Sequence, residues 1–229
     1  LGLPLLVSCI WLGYGLRSGE PLVVGDRLLF HSVGASASAA IIAVVLAVPI
    51  VILVVRQAGR VERLLERAAY IGHALPGIVV ALALVFFSAR YLTPLYQTLA
   101  LLVVSYVILF MPHAISSLRT SMQQINPRLE EAGRNLGKSS REVTRDIILP
   151  LLRPGVLMGA VMVFLSCMKE LPATLMLSPT GFETLATRIW NATEEAFFAR
   201  AALPSMILMG VSAVSVWMLL KQEKEALSR

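Results

Sequence analysis

Residues 33–55 read VGASASAAIIAVVLAVPIVILVV, an unbroken run without a charged side chain. A helix rises about 1.5 Å per residue, so roughly 20 apolar residues cross the ~30 Å hydrocarbon layer of a bilayer. This run predicts a membrane-spanning helix. Leu203 to Leu220 is uncharged as well. A secretory signal peptide would account for one such run near the start of a chain, but not for several along its length. Working outward, six spans are expected, at about Leu3–Leu16, His31–Val55, Ile71–Leu92, Leu95–Pro112, Gly155–Leu177 and Leu203–Leu220. The fold class is therefore all-α, a polytopic transmembrane bundle of about six helices. The chain opens on Leu1 rather than Met, and the first span, with Trp11 and Tyr14, is expected to be the end of a longer helix.

Of the 229 residues 57% are apolar and only 15% charged, where a soluble domain carries about a quarter. The formal net charge is +6. In a soluble chain that balance would suggest nucleic acid. Here the cations sit between the spans, so no nucleic-acid partner is expected. Arg56, Arg60, Arg63 and Arg67 follow the second span. Arg119, Arg128, Arg134, Lys138, Arg141, Arg145 and Arg153 follow the fourth, and Lys221, Lys224 and Arg229 follow the sixth. These three segments hold fourteen of the twenty cations, and with six spans all three share one side of the membrane. Positive loops stay in the cytoplasm, so both chain ends are expected there. Cys9 and Cys167 lie in separate apolar stretches without metal-ligand spacing and read as small buried hydrophobes. Gly34 with Ser38 and Ala35 with Ala39 place small residues four apart, a spacing that lets helices pack closely in lipid.

The connection after the fourth span, INPRLEEAGRNLGKSSREVTRDIILPLLRPG (125–155), is more structured than a linker requires. Asn126 suits an N-cap and Pro127 the first helical position. Ile125, Leu129, Ala132 and Leu136 recur at helical spacing as one apolar stripe. Gly137 supplies a stop. Ser139 followed by Glu142 has the capping-box pattern of a second helix, whose apolar face continues through Val143 and Ile147. Pro150 is expected to break that helix before the next span. A capped amphipathic pair on the cytoplasmic side suggests a docking element that enters a groove on a partner.

Its spacing resembles a family. Glu131-Ala132-Gly133, three residues, Gly137, nine residues, Ile147, one residue and Leu149-Pro150 are similar to the EAA loop of ABC importer permeases. The one departure is Gly133, where that family usually has Ala. The resemblance implies that 126–150 is the coupling loop that docks on a separate ATPase subunit. The segment Gly133 to Ser139 superficially suggests a P-loop, but three residues separate its glycines where four are needed. ATP and Mg are therefore expected on the partner ATPase, with no cofactor or metal bound by this chain. KELPATLML (169–177) and the following Gly181 to Leu208 resemble the C-terminal half of ferric-iron-type permeases, whose relatives serve thiamine, sulfate, polyamines or phosphonate. That resemblance implies one permease domain over 1–229. A second half, from the same chain or another copy, would complete the pathway, and an external solute-binding protein would deliver the substrate. The expected location is the bacterial plasma membrane.

Lys169 and Glu170 stand at the end of the fifth span. Ionisable residues within a span are by default a pathway hypothesis, the alternative being a snorkelling Lys169 and a hydrated Glu170 at the interface. Pro172 is expected to kink the span, and a broken span can line a substrate cavity. Segment 181–202 carries Glu183, Arg188, Glu194, Glu195 and Arg200, too polar to span, and reads as an amphipathic outer-face element at the interface. His31, His73 and His113 lie at span ends without ligand spacing. An ion-coupled secondary transporter would need more intramembrane carboxylates than Glu170. An intramembrane hydrolase would show HExxH, GxSxG or paired Asp residues, which the sequence lacks.

Overall fold

The computed structural model describes residues 2–20, 25–57, 59, 64, 67–68, 70–72 and 74–227. Arg60, Arg63, His73 and Arg229 lie outside the described residues. Among the described residues the regular structure is all helix, without a strand. The helices are α1 (Gly2–Arg17), α2 (Asp26–Gln57), α3 (Gly77–Tyr91), α4 (Leu99–Gln124), α5 (Pro127–Asn135), α6 (Ser140–Val143), α7 (Leu149–Met168), α8 (Pro172–Leu177), α9 (Leu185–Glu194) and α10 (Phe198–Leu227). Among the described residues four helical stretches are long and apolar enough to cross a membrane: Asp26–Arg56, Leu99–Gln124, Ser140–Met168 and Phe198–Met218. Two shorter apolar helices, α1 and α3, lie where the first and third spans were expected.

α2 shows why this sequence takes this form. Asp26 lies in its first turn and Arg56 in its last, each complementing the helix dipole. Ala35, Ala39, Ala43, Ala47, Val51 and Val54 recur at three- and four-residue steps and are buried. Ile41 and Val45 point outward, 63% exposed each. A helix apolar on every face is what a bilayer solvates, since lipid tails impose no polar outer surface. Ala35 and Ala39 are thus absorbed by packing within the chain, while Gly34 and Ser38 are exposed.

Two compact units can be distinguished. One comprises Leu1–Ala39, Pro76–Tyr106 and Phe164–Arg229. In it α1 and α9 pack on α10, and α3 packs on α8. Leu28, Met168 and Leu185 form its core with Phe164, Ile207, Leu208 and Val211 around them. The other comprises Ala40–Leu75 and Val107–Val163. There α7 lies against α4 through glycines: a methyl on Gly159 would come within 3.2 Å of the Ala114 Cα, and one on Gly155 would run into the Ser121 side chain. Gly155 and Gly159 form a GxxxG step, the spacing that lets two helices approach closely in lipid. A methyl on Gly72 would likewise fall 2.5 Å from the Ile108 carbonyl oxygen.

Several boundaries differ from expectation, mostly at prolines. The fourth span was expected to end at Pro112, yet α4 continues to Gln124 with Pro112 inside it. Ala114, Ile115, Leu118 and Met122 extend its buried face beyond the proline, and neighbouring groups in a membrane helix can compensate the lost donor. Pro150 does not break the chain before the fifth span. Thr144–Ile148 forms one π-type turn that joins α6 to α7, and Leu149 N–H donates to the Thr144 carbonyl. The wider turn absorbs the proline, so helix runs from Ser140 to Met168. The same span ends at Met168, not Leu177. Pro172 opens α8 at its first position and does not kink a continuous helix. Segment 181–202, expected on the outer face, is not one element: α9 stops at Glu194, and α10 already begins at Phe198 with Pro204 in its interior. Cys167 is buried as expected, but Cys9 is exposed because α1 buries only Gly15.

Candidate functional site

The loop after α4 is built as its sequence pattern implies. Asn126 is the N-cap of α5: its side chain accepts from Arg128 N–H at 3.0 Å, with Pro127 in the first turn. At the other end Gly137 adopts φ +86°. Its N–H donates to Arg134 at 2.9 Å and Lys138 N–H donates to Gly133 at 3.1 Å, the paired bonds of a Schellman stop. Ser139 then starts α6 with a reciprocal capping box, in which its N–H donates to the Glu142 carboxylate at 2.7 Å and its Oγ accepts from Glu142 N–H at 3.4 Å. The segment that mimics a P-loop is therefore a helix stop followed by a helix start. Lys138 Nζ donates to Asp146 at 2.5 Å, and that bond raises the Lys138 ammonium above its usual range.

The two faces of α5 differ. Leu129, Glu131, Ala132 and Leu136 are exposed, Leu136 to 84%. Glu130 and Gly133 face inward and are buried. Of the expected stripe, only Ile125 is covered by this chain. Gly133 packs on the following turn. A methyl there would sit 2.7 Å from Ile147 Cδ1 and 3.3 Å from Val143 Cγ2, which gives the one departure from the EAA pattern a packing role. Ile147 is half-buried, and Leu149 and Pro150 are exposed at the start of α7. The inner face holds a pair that sequence reasoning missed. Arg56, in the last turn of α2, donates from Nε to Glu130 Oε1 at 2.6 Å and from its terminal nitrogen to the Ile125 carbonyl at 3.1 Å. The two residues lie 74 apart in sequence, so no local pattern announces them.

Lys169, Glu170 and Pro172 share the break between α7 and α8, but their side chains part. The Glu170 carboxylate accepts from Ala173 N–H at 3.1 Å, and Thr174 Oγ1 donates to the Glu170 carbonyl at 2.6 Å. Thr174 Oγ1 also lies 2.6 Å from the buried Tyr106 hydroxyl. The first residue of α3, Gly77, is so close that a methyl on it would be 2.8 Å from Glu170 Oε1. The Glu170 carboxylate is thus bonded to the start of α8 and lies beside the start of α3. Lys169 is exposed and borders an apolar groove along α10 with Leu208, Ser212, Ala213, Trp217 and Leu220. That groove follows α10 for more than three turns.

In segment 181–202 Thr184 and Thr187 cap α9 reciprocally. Leu185 N–H donates to Ser32 Oγ at 2.7 Å. His31 donates from Nδ1 to the Glu183 carbonyl at 3.2 Å and stacks on Phe182, a structural role. His113 stacks loosely near Phe110 in α4. Among the described residues no three His, Cys, Asp or Glu side chains gather to hold a metal.

Known proteins resemble this chain along most of its length. Residues 39–222 match the family model described as binding-protein-dependent transport system inner membrane component. The Fe(3+)-transport system permease protein FbpB 2 of Haemophilus influenzae is 34% identical over 223 residues, which cover 96% of this chain and 44% of that protein. This chain thus spans less than half the length of that relative. PhnV of Salmonella typhimurium, named for 2-aminoethylphosphonate transport, is 26% identical over 76% of this chain and 65% of its own length. The molybdate/tungstate permease WtpB of Pyrococcus abyssi is 27% identical over 84% and 75%. Among solved structures, the inward-facing MetNI methionine ABC transporter aligns with a TM-score of 0.66 at 15% identity, covering 85% of this chain and 94% of that one. That match speaks for the fold.

Proposed function

The chain belongs to the binding-protein-dependent transport system inner membrane component family, and from that membership we propose that it is one permease half of an ATP-driven importer. A second half, from the same polypeptide or another copy, completes the pathway. The ATPase, with its ATP and Mg, is a partner that docks on 126–150. The observation that carries this reading is the exposed apolar stripe Leu129, Ala132 and Leu136 on a helix capped at both ends. Ordering such a helix costs conformational entropy, and apolar side chains displayed on it gain from entering a partner's groove.

Segment 181–202 is assigned to the outer face, where a solute-binding protein delivers the substrate, and both chain ends to the cytoplasm. Lys169 and Glu170 are assigned to the pathway: the Glu170 carboxylate bonds to the start of α8 and lies beside Gly77 at the start of α3, while Lys169 borders the α10 groove. The substrate is ferric iron, on the strength of the FbpB 2 likeness. Phosphonate, named for PhnV, is the second reading, with thiamine, sulfate and polyamine further off. Selectivity is expected mainly on the binding protein.

The test is uptake into vesicles holding the permease, ATPase and binding protein, offered labelled ferric iron, 2-aminoethylphosphonate or molybdate in turn. ATP-dependent accumulation of iron alone supports the reading, and accumulation of either oxyanion in its place overturns the substrate. Neutralising Lys169 or Glu170 should lower uptake while the ATPase still co-purifies. Normal uptake by both Lys169→Gln and Glu170→Gln would return them to the interface.

A further inference from the structure

We propose that Arg56 and Glu130 form the joint through which movement of α5 reaches α2, so that the pair couples the docking helix to a membrane-spanning helix. This rests on the reading of α5 as the ATPase-docking element. The Glu130 side chain is 8% exposed and that of Arg56 19%, so the contact is shielded from water and little screened by salt. Arg56 grips both sides of the corner between α4 and α5. One nitrogen holds a carboxylate in the first turn of α5, and the other holds the Ile125 carbonyl just before the Asn126 cap. A forked guanidinium is suited to this double hold, whereas an ammonium is not. Residues 33–55 of α2 carry no charge, and Arg56 is the next residue, one before the helix ends at Gln57.

The arrangement divides labour across α5. Leu129, Ala132 and Leu136 face a partner, while Glu130 and Gly133 face the chain. Gly133 conveys displacement to Val143 and Ile147 and thence into α7, and Glu130 conveys it to α2. Two helices then respond to one docking event. Arg56 and Glu130 are positioning residues and touch neither nucleotide nor substrate.

The test uses the permease–ATPase complex reconstituted in vesicles, with the binding protein added as purified. ATPase retained per permease and binding-protein stimulation of ATP hydrolysis are both measured. Arg56→Gln and Glu130→Gln are expected to retain the ATPase within about twofold of the parent while stimulation per bound ATPase falls about tenfold or more. The double variant is expected to be no worse than either single, because the two residues act as one unit. Arg56→Lys, which keeps the charge and loses the fork, is expected to fall between. Wild-type stimulation in both single Gln variants would overturn the proposal. So would an ATPase lost in step with stimulation, which marks a purely structural pair. Leu136→Asp separates this from the docking reading: its loss of ATPase supports docking whatever the pair does, and its retention of ATPase sinks docking itself.

Discussion

At the residue scale, two helix stops contrast. Gly137 closes α5 at φ +86°, and Ala196 closes α9 at φ +60° with the same backbone pattern, Phe197 N–H donating to Ala192 and Ala196 N–H to Thr193. The left-handed region is open to glycine and costs an L-residue roughly 1–2 kcal/mol. Ala196→Gly is therefore expected to stabilise the protein by about 0.5–1 kcal/mol, because native strain is relieved at some cost in chain entropy. Unfolding in mixed micelles by denaturing detergent would show this as a later midpoint, and an earlier one would contradict it. Gly137→Val reverses the change and adds a branched side chain at the turn proposed to dock. Glu131 is exposed on the same helix. Gly137→Val and Glu131→Lys are expected to insert normally, bind less ATPase and transport less, as read by co-purification and vesicle uptake, while a change at Lys224 does little.

At the element scale, the GxxxG step of α7 governs how closely it can lie on α4. A side chain at Gly159 meets the Ala114 backbone at 3.2–3.4 Å, and backbone yields less readily than a side-chain tip. Overpacking of this kind typically costs about 1–3 kcal/mol. Gly159→Val is expected to lower stability by that order, whereas Gly210→Val on α10, with open space around it, should cost no more than its propensity change. Equal midpoints for the two variants would remove the α4–α7 contact as a determinant. The same scale explains the prolines. Pro49, Pro112, Pro154 and Pro204 all lie within helices. Helix-breaking rules drawn from water fail in a membrane bundle because neighbouring groups, or a π-type turn as before Pro150, accommodate the missing donor.

At the scale of the whole molecule, the charge distribution makes a topological claim. Fourteen of the twenty cations fall in the segments after the second, fourth and sixth spans. With Cys9 and Cys167 replaced by Ala, a single cysteine at Lys138 should resist an impermeant thiol reagent in intact cells. One at Glu194, exposed at the end of α9, should react. Thr184, in the same segment, would be a poor probe because it is buried and caps α9. Labelling at Lys138 from outside would reverse the orientation and detach 126–150 from any cytoplasmic ATPase.

What the sequence by itself determined was everything carried by order along the chain. Long uncharged runs marked spans, cations clustered after every second one, and Asn126, Gly137, Ser139 and Glu142 marked the stops and starts of α5 and α6, each through bonds to residues two to four positions away. Gly133 was visible only as a deviation from a pattern. That it is where α5 meets Ile147 and Val143, that Leu136 is left bare, that Glu170 rests against Gly77 and that Arg56 finds Glu130 were decided by tertiary structure alone. The physical reason is range. Capping and hydropathy act within a turn or along one helix, whereas a close approach or a buried ion pair exists only once distant segments have been brought side by side.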